Sequence, residues 1–81
     1  MINNQNFWDA IDELAKAHNL SASGLAKLAG LDPTSFNPSR RQSKYGQPRW
    51  ISTHSLAKLL SATNTKFAEF IKIFQNSANF S

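Results

Sequence analysis

Residues 33–41 carry side chains whose hydrogen-bonding groups match the edges of nucleic-acid bases. Thr34, Asn37 and Arg41 recur at spacings of three and four, with Ser35 beside them. An asparagine amide can form two hydrogen bonds with adenine, an arginine guanidinium can do the same with guanine, and threonine offers a hydroxyl and a methyl group. If these residues form a helix with a 3.6-residue period, all four side chains lie on or beside its outward face. They are therefore the candidates for reading base edges.

Cationic side chains are concentrated in the same part of the chain. The 36 residues from Pro33 to Ala68 contain no acid, and the net charge of the chain is +4. A positive field placed in this way favours an anionic partner. The residues predicted to contact phosphates, which are basic or lie at predicted helix starts, are Ser21, Arg40, Lys44, Arg49 and Thr53.

Apolar periodicity predicts the helices that must position these side chains. Spacings of three and four predict a first helix over residues 6–18, whose solvent-facing side carries Asp12. Ser21 is expected to cap a second helix. A third helix is predicted over residues 33–41, but Pro38 must kink, tighten or end it because proline lacks the backbone donor and crowds the preceding turn.

The second half of the chain is predicted to contain a loop and two more helices. Residues 42–52 are basic, contain glycine and proline, and show no helical period, so we expect a loop there. A fourth helix is predicted to follow a Ser52 or Thr53 cap and to end at Ala62. A fifth is predicted to begin near Lys66, and its tail, "QNSANFS", is expected to be frayed.

The spacing of three apolar or small residues indicates a helix-turn-helix over residues 22–41. Ala26 would let a partner backbone approach the second helix, Gly30 would end that helix and form the turn, and Phe36 would anchor the next element. In such a motif the second element projects from the body and enters the DNA major groove. The polar, basic segment is therefore suited to a groove rather than to a core.

These segments resemble the N-terminal DNA-binding domains of bacterial and phage repressors of the lambda cI/LexA-like type. The similar stretches are "FWDAIDELAKAHNLSASGLAKLAGLDPTSFNPSRR", "GQPRW" and "STHSLAKLLSATNT", followed by "FAEF", and they cover nearly everything from Phe7 to Phe70. The resemblance implies an all-α, five-helix lambda-repressor-like fold with residues 1–81 as a single domain. It also implies sequence-specific binding of double-stranded DNA by a transcriptional regulator, with repression as the expected direction.

Related regulators carry a C-terminal LexA-like peptidase domain that mediates dimerisation. The resemblance therefore implies a DNA-binding fragment or a truncated protein, without peptidase activity. Two copies are expected to bind an inverted repeat, because one short recognition helix reads only a few base pairs. The aromatic fifth helix is predicted to be core or, where exposed, a dimer contact through Phe67, Phe70, Ile71 and Phe74.

Other interpretations of the same residues stay open at this stage. A helical protein–protein adaptor, of the antitoxin or anti-repressor type, would use the basic loop to meet an acidic protein. A structured-RNA binder is less well matched, because the deep, narrow A-form major groove excludes a recognition helix. Trp50 and Tyr45 could stack on bases, but Trp50 directly before a helix cap is expected instead to fold the loop against the fourth helix.

Enzymatic and metal-dependent functions are not expected. The chain has no cysteine, and His18 and His54 lie on different predicted helices without ligand spacing. No nucleophile motif surrounds its serines. We therefore predict no catalytic residue, no metal and no cofactor. The absence of cysteine and of a signal-peptide pattern makes the cytoplasm the expected location.

Overall fold

The computed structural model describes residues 4–42 and 46–79, the last four of them by backbone alone, and this part of the chain contains helices and no strands. The predicted all-α class is confirmed. Four α-helices are joined by turns and loops, and two short 3-10 turns lie between the second and third helices. The helices are α1 (Asn4–Ala17), α2 (Ala22–Leu28), α3 (Thr53–Ala62) and α4 (Phe67–Asn79), and the 3-10 turns are Pro33–Phe36 and Pro38–Arg40.

The ends of α1 and α2 follow local capping chemistry. The chain leaves α1 through Asn19, whose φ of 59° lies in the left-handed region that asparagine tolerates. The hydroxyl of Ser21 then accepts a hydrogen bond from the Gly24 N–H at 3.1 Å, so the predicted cap of the second helix is confirmed. Gly30 follows α2 with a φ of +76°, which confirms it as the predicted turn residue.

The prediction of one helix over residues 33–41 is wrong. The segment forms two 3-10 turns separated by Asn37, whose ψ of 144° is extended. The ring of Pro38 causes this break, because it sterically disfavours the helical region for the residue before it. The carboxylate of Asp32 caps the first turn by accepting the Thr34 N–H at 3.0 Å.

Side-chain caps also begin α3 and α4. Ser52 is the cap of α3, since its hydroxyl accepts the Ser55 N–H at 3.0 Å. At the start of α4 the Lys66 N–H donates to the Glu69 carboxylate at 3.1 Å, which also places a negative charge near the helix N-terminus. The helix continues to Asn79, so most of the tail "QNSANFS" lies within α4.

The core forms around α1, which packs against α2 and α4. The packing positions predicted for the helix-turn-helix are confirmed: Ala26 and Phe36 are buried, and α2 packs against the first 3-10 turn. Helix α4 contributes the rings of Phe70 and Phe74 to the same core. The core side chains are Phe7, Trp8, Ala10, Ile11, Leu14, Ala15, Leu25, Ala26, Phe36, Leu59, Leu60, Phe70 and Phe74. No helix among residues 4–42 and 46–79 is long and apolar enough to cross a membrane.

The turn at Gly30 gives a test of this fold. A Cβ added there would meet nothing within 4 Å, so only the positive φ opposes a side chain. We expect Gly30→Ala to lower the free energy of unfolding by about 1–2 kcal/mol, the cost of a left-handed residue with a Cβ. Gly30→Asn should cost clearly less. Urea denaturation followed by circular dichroism measures both, and equal stability of the alanine variant and the wild type would contradict the turn geometry.

Candidate nucleic-acid interface

Three of the four predicted base-reading residues lie on the exposed surface of the 3-10 turns. Thr34, Ser35 and Asn37 are all solvent-exposed. The Ser35 hydroxyl donates to the Asp32 carboxylate at 3.3 Å, and the Asn37 side chain makes no cap hydrogen bond. The extended peptide of Asn37 places this residue at the junction between the two turns. Thr34 and Asn37 thus offer polar groups that a partner could contact.

The predicted outward placement of Arg41 is wrong. Its guanidinium binds the Asp12 carboxylate through two hydrogen bonds, of 2.9 Å from Nη1 and 2.6 Å from Nη2. Nη2 also donates to the Phe36 carbonyl at 3.3 Å, and Cζ lies 4.6 Å from the ring centroid of Trp8. Because the predicted helix is replaced by two 3-10 turns, Arg41 turns back toward α1 and its side chain is only 15% exposed.

Trp8 and Asp12 are the parts of this arrangement that the sequence pattern did not identify. Asp12 is exposed, as predicted for the solvent-facing side of the first helix, and it lies four residues after Trp8, on the part of α1 that Arg41 contacts. The spacing of four between Trp8 and Asp12 was the signal in the sequence that these two side chains are neighbours. It does not reveal that Arg41 binds them, because Arg41 is 29 residues away from Asp12 in the chain.

Hydrogen bonds join Arg49 of the basic loop to Arg41, which precedes the loop, and to α1. The Arg49 N–H donates to the Arg41 carbonyl at 2.9 Å. In turn the Arg49 carbonyl accepts two hydrogen bonds from α1, at 3.0 Å from the Trp8 indole and at 2.8 Å from the Asn4 amide. These contacts fix residues 41 and 49 beside the 3-10 turns.

Trp50 packs against α1, a contact that the sequence pattern did not predict. Its ring centroid lies 5.3 Å from that of Phe7, and it is 53% exposed. The side-chain bonds from α1 to the Arg49 carbonyl explain this placement, because they draw the end of the loop toward α1. Tyr45 lies outside the described residues.

Two arginines line one cleft beside the turns. Arg40 and Arg49 are exposed, and with Ser35 they border an opening of about 290 Å³. Asp32 also borders it, but its carboxylate already accepts hydrogen bonds from the first 3-10 turn. Two hydroxyls at the start of α3, which the sequence pattern did not single out as contacts, complete the lining: Ser52 and Ser55. The cleft therefore combines two cations and hydroxyl groups with one hydrogen-bonded carboxylate, and the excess of positive charge suits an anionic oxygen.

The remaining predicted phosphate contacts are dispersed. Ser21 lies beside Asn37 on a shallow depression that Arg41 also borders. Thr53 is exposed but borders a different groove, with Phe67. Lys44 lies outside the described residues. The structure thus brings Arg40 and Arg49 together and leaves Thr53 apart from them.

The predicted dimer contacts of the last helix divide into two pairs. Phe70 and Phe74 are 2% and 8% exposed and belong to the core, so they are not available to a second copy. Phe67 and Ile71 are 60% and 36% exposed. Their spacing of four places them on one side of α4. Only this second pair can contribute to a contact between copies.

Residues 4–42 and 46–79 contain no group of three or more histidine, cysteine, aspartate or glutamate side chains that could hold a metal ion. The functional groups that this surface does offer are amides, hydroxyls and guanidiniums. Such groups bind partners through hydrogen bonds and charge.

Comparison of the chain with protein-family models, with curated proteins and with solved structures gives no match. The resemblance to lambda cI/LexA-like repressors therefore rests on the quoted residues alone. The all-α class is established by the four helices, whereas the lambda-repressor-like fold stays a prediction.

The two tryptophans give a matched test of how the loop is held. Trp8→Phe removes the indole N–H bond to the Arg49 carbonyl and shrinks a ring that is 2% exposed. We expect it to lower the free energy of unfolding by about 1–3 kcal/mol. Trp50→Phe changes a half-exposed ring and should alter stability by less than about 0.5 kcal/mol. Urea denaturation monitored by circular dichroism at 222 nm measures both. Equal changes in the free energy of unfolding would contradict the conclusion that Trp8, rather than Trp50, holds the loop.

Proposed function

We propose that the protein binds double-stranded DNA sequence-specifically and acts as a transcriptional regulator, most simply a repressor of the lambda cI/LexA-like type. The observation that carries the proposal is that exposed Thr34 and Asn37 belong to the same short segment, residues 33–40, whose Ser35 and Arg40 border a cleft with Arg49. One segment thus carries groups that can read bases and a group that can neutralise phosphates, as DNA recognition requires. A bacterial or phage regulator of this kind would work in the cytoplasm.

In the proposed complex the 3-10 turns approach the major groove. Asn37 and Thr34 contact base edges, while Arg40 and Arg49 bind phosphates on the flanking backbone. Ser21, at the start of α2, borders the same depression as Asn37 and is a further candidate for a backbone contact. The pairing of Asp12 with Arg41 helps this approach, because it neutralises a carboxylate close to the DNA-facing surface.

Two copies on an inverted repeat fit the size of the domain. Its principal extents are 35 × 30 × 22 Å. Half-sites on DNA are about 34–36 Å apart when they are separated by one helical turn. Two copies side by side would therefore present their 3-10 turns to successive major grooves on one face of the duplex. Phe67 and Ile71 are the exposed apolar side chains that we assign to a contact between copies.

A protein–protein adaptor is the second candidate. The observation that favours it is the apolar groove of about 360 Å³ between α3 and the start of α4, bordered by Leu56, Ala57 and Phe67. The arginines of such an adaptor would bind an acidic protein. It would bind DNA only through charge, so selection of a preferred sequence separates the two functions.

Selection of bound duplexes from a random library at stated salt tests the proposal. The wild type should select an inverted repeat. Asn37→Ala should weaken binding to the selected site by about 1–3 kcal/mol and relax the preference at one base pair of each half-site, with little change on random duplex. Gln75→Ala, which removes an exposed amide from α4, is the control and should bind like the wild type. Failure of the wild type to select any sequence would favour the adaptor.

The arginines of the cleft are tested by the salt dependence of binding. If five or six cations of each copy neutralise phosphates, the slope of log K against log salt should be about −4 to −6 per protomer. Arg40→Ala and Arg49→Ala should each weaken specific and random duplexes alike and make that slope shallower by about one. Lys72→Ala, an exposed cation of α4 outside the cleft, is the control and should leave the slope unchanged. Fluorescence anisotropy titrations measure this, and a flat response would exclude phosphate neutralisation.

A further inference from the structure

Arg41 lies within the candidate interface, yet its guanidinium is bound to the protein itself. Both terminal nitrogens donate to Asp12, one of them also donates to the Phe36 carbonyl, and the Trp8 ring covers one face. The third nitrogen, Nε, is buried and makes no hydrogen bond to the described residues. A guanidinium held in this way has no free pair of donors to present to guanine.

The same contacts lead to the residue that we assign to base reading. Phe36 directly precedes Asn37, so the hydrogen bond from Arg41 to the Phe36 carbonyl fixes the peptide through which Asn37 is attached. Within the segment, Asn37 N–H donates to the Thr34 carbonyl at 3.2 Å, and the Asn37 carbonyl accepts from Arg40 N–H at 2.8 Å. The bond from Arg41 to the Phe36 carbonyl adds a contact that connects this segment to α1.

The charge of Asp12 keeps Arg41 in this position. Arg41 is largely buried, and a buried cation is costly unless a carboxylate and hydrogen bonds compensate for its lost hydration. Without the negative charge of Asp12, the guanidinium would gain by moving into solvent. It would then release the Phe36 carbonyl.

We propose that Arg41, held by Asp12 and Trp8, is a positioning residue for Asn37 and so determines sequence specificity without contacting a base. This inference rests on the proposed function, because Asn37 must read DNA for its orientation to matter. The implied ligand is a base edge in duplex DNA, which Asn37 contacts and Arg41 does not.

Two charge-matched variants of α1 test the inference. Asp12→Asn and Glu13→Gln each remove one negative charge with little change of shape, so both should raise the affinity for random duplex by a similar factor. Only Asp12 binds Arg41. We therefore expect Asp12→Asn to lower the ratio of specific to random affinity about three- to tenfold and Glu13→Gln to leave it unchanged. Arg41→Lys keeps the charge but loses the bidentate pairing with the Asp12 carboxylate. It should lower the ratio of specific to random affinity as Asp12→Asn does.

A double-mutant cycle with Asn37 distinguishes positioning from general loosening of the fold. In the Asn37→Ala background, Asp12→Asn should cause no further loss of specificity, because the residue it positions is gone. Additive losses would overturn the inference. So would a higher specificity ratio in Asp12→Asn, since that result means that the released Arg41 reads a base itself.

The free protein gives a measurement that does not depend on DNA. The NMR signals of the Asn37 backbone and side-chain amides should shift in Asp12→Asn and in Arg41→Lys but not in Glu13→Gln. Unchanged Asn37 signals in both variants would overturn the positioning role. A wild type that selects no sequence while these shifts occur would instead refute the proposed function and leave the structural link intact. If Asp12→Asn fails to fold by circular dichroism, Arg41→Lys carries the same comparison.

Discussion

The indole of Trp8 is the contact on which the candidate interface depends. Its ring meets Phe36 edge to face, with centroids 5.7 Å apart, and its face lies against the Arg41 guanidinium. Its N–H binds the Arg49 carbonyl at 3.0 Å. One side chain of α1 therefore contacts the first 3-10 turn, Arg41 and Arg49. Because Trp8 is itself packed in the core, the orientation of these surface segments is coupled to the packing of the whole domain.

This central contact explains why neighbouring arginines have opposite environments. In a 3-10 turn each residue rotates by about 120° relative to the last, so consecutive side chains diverge widely. Arg41 consequently packs on Trp8 and pairs with Asp12, whereas Arg40 remains exposed beside the cleft. The pairing with Asp12 thus removes Arg41 from the positive charge that the described part of the segment offers to a partner. Beside the turns, exposed positive charge lies with Arg40 and Arg49.

Features set by local chemistry were predictable from the sequence, and features set by distant contacts were not. Ser21 and Gly30 act within a few residues of their own positions, and their roles as cap and turn were predicted. The sequence also showed that Pro38 must disturb a helix, but whether it would kink or divide that helix depends on how the segment packs. The pairing of Asp12 with Arg41 depends on the tertiary fold, which brings together residues 29 positions apart.

The division of residues 33–41 into two turns changes how specificity would arise in the proposed complex. A continuous helix holds its outward side chains through its own backbone hydrogen bonds. Two 3-10 turns separated by an extended residue lack that internal support, because their bonds are fewer and poorer in geometry. Asn37 is bonded to Thr34 and Arg40 within the segment, and Arg41, which is paired with Asp12 of α1, adds a hydrogen bond to the preceding Phe36 carbonyl. In the proposed complex, α1 would therefore contribute to recognition although it lies outside residues 22–41.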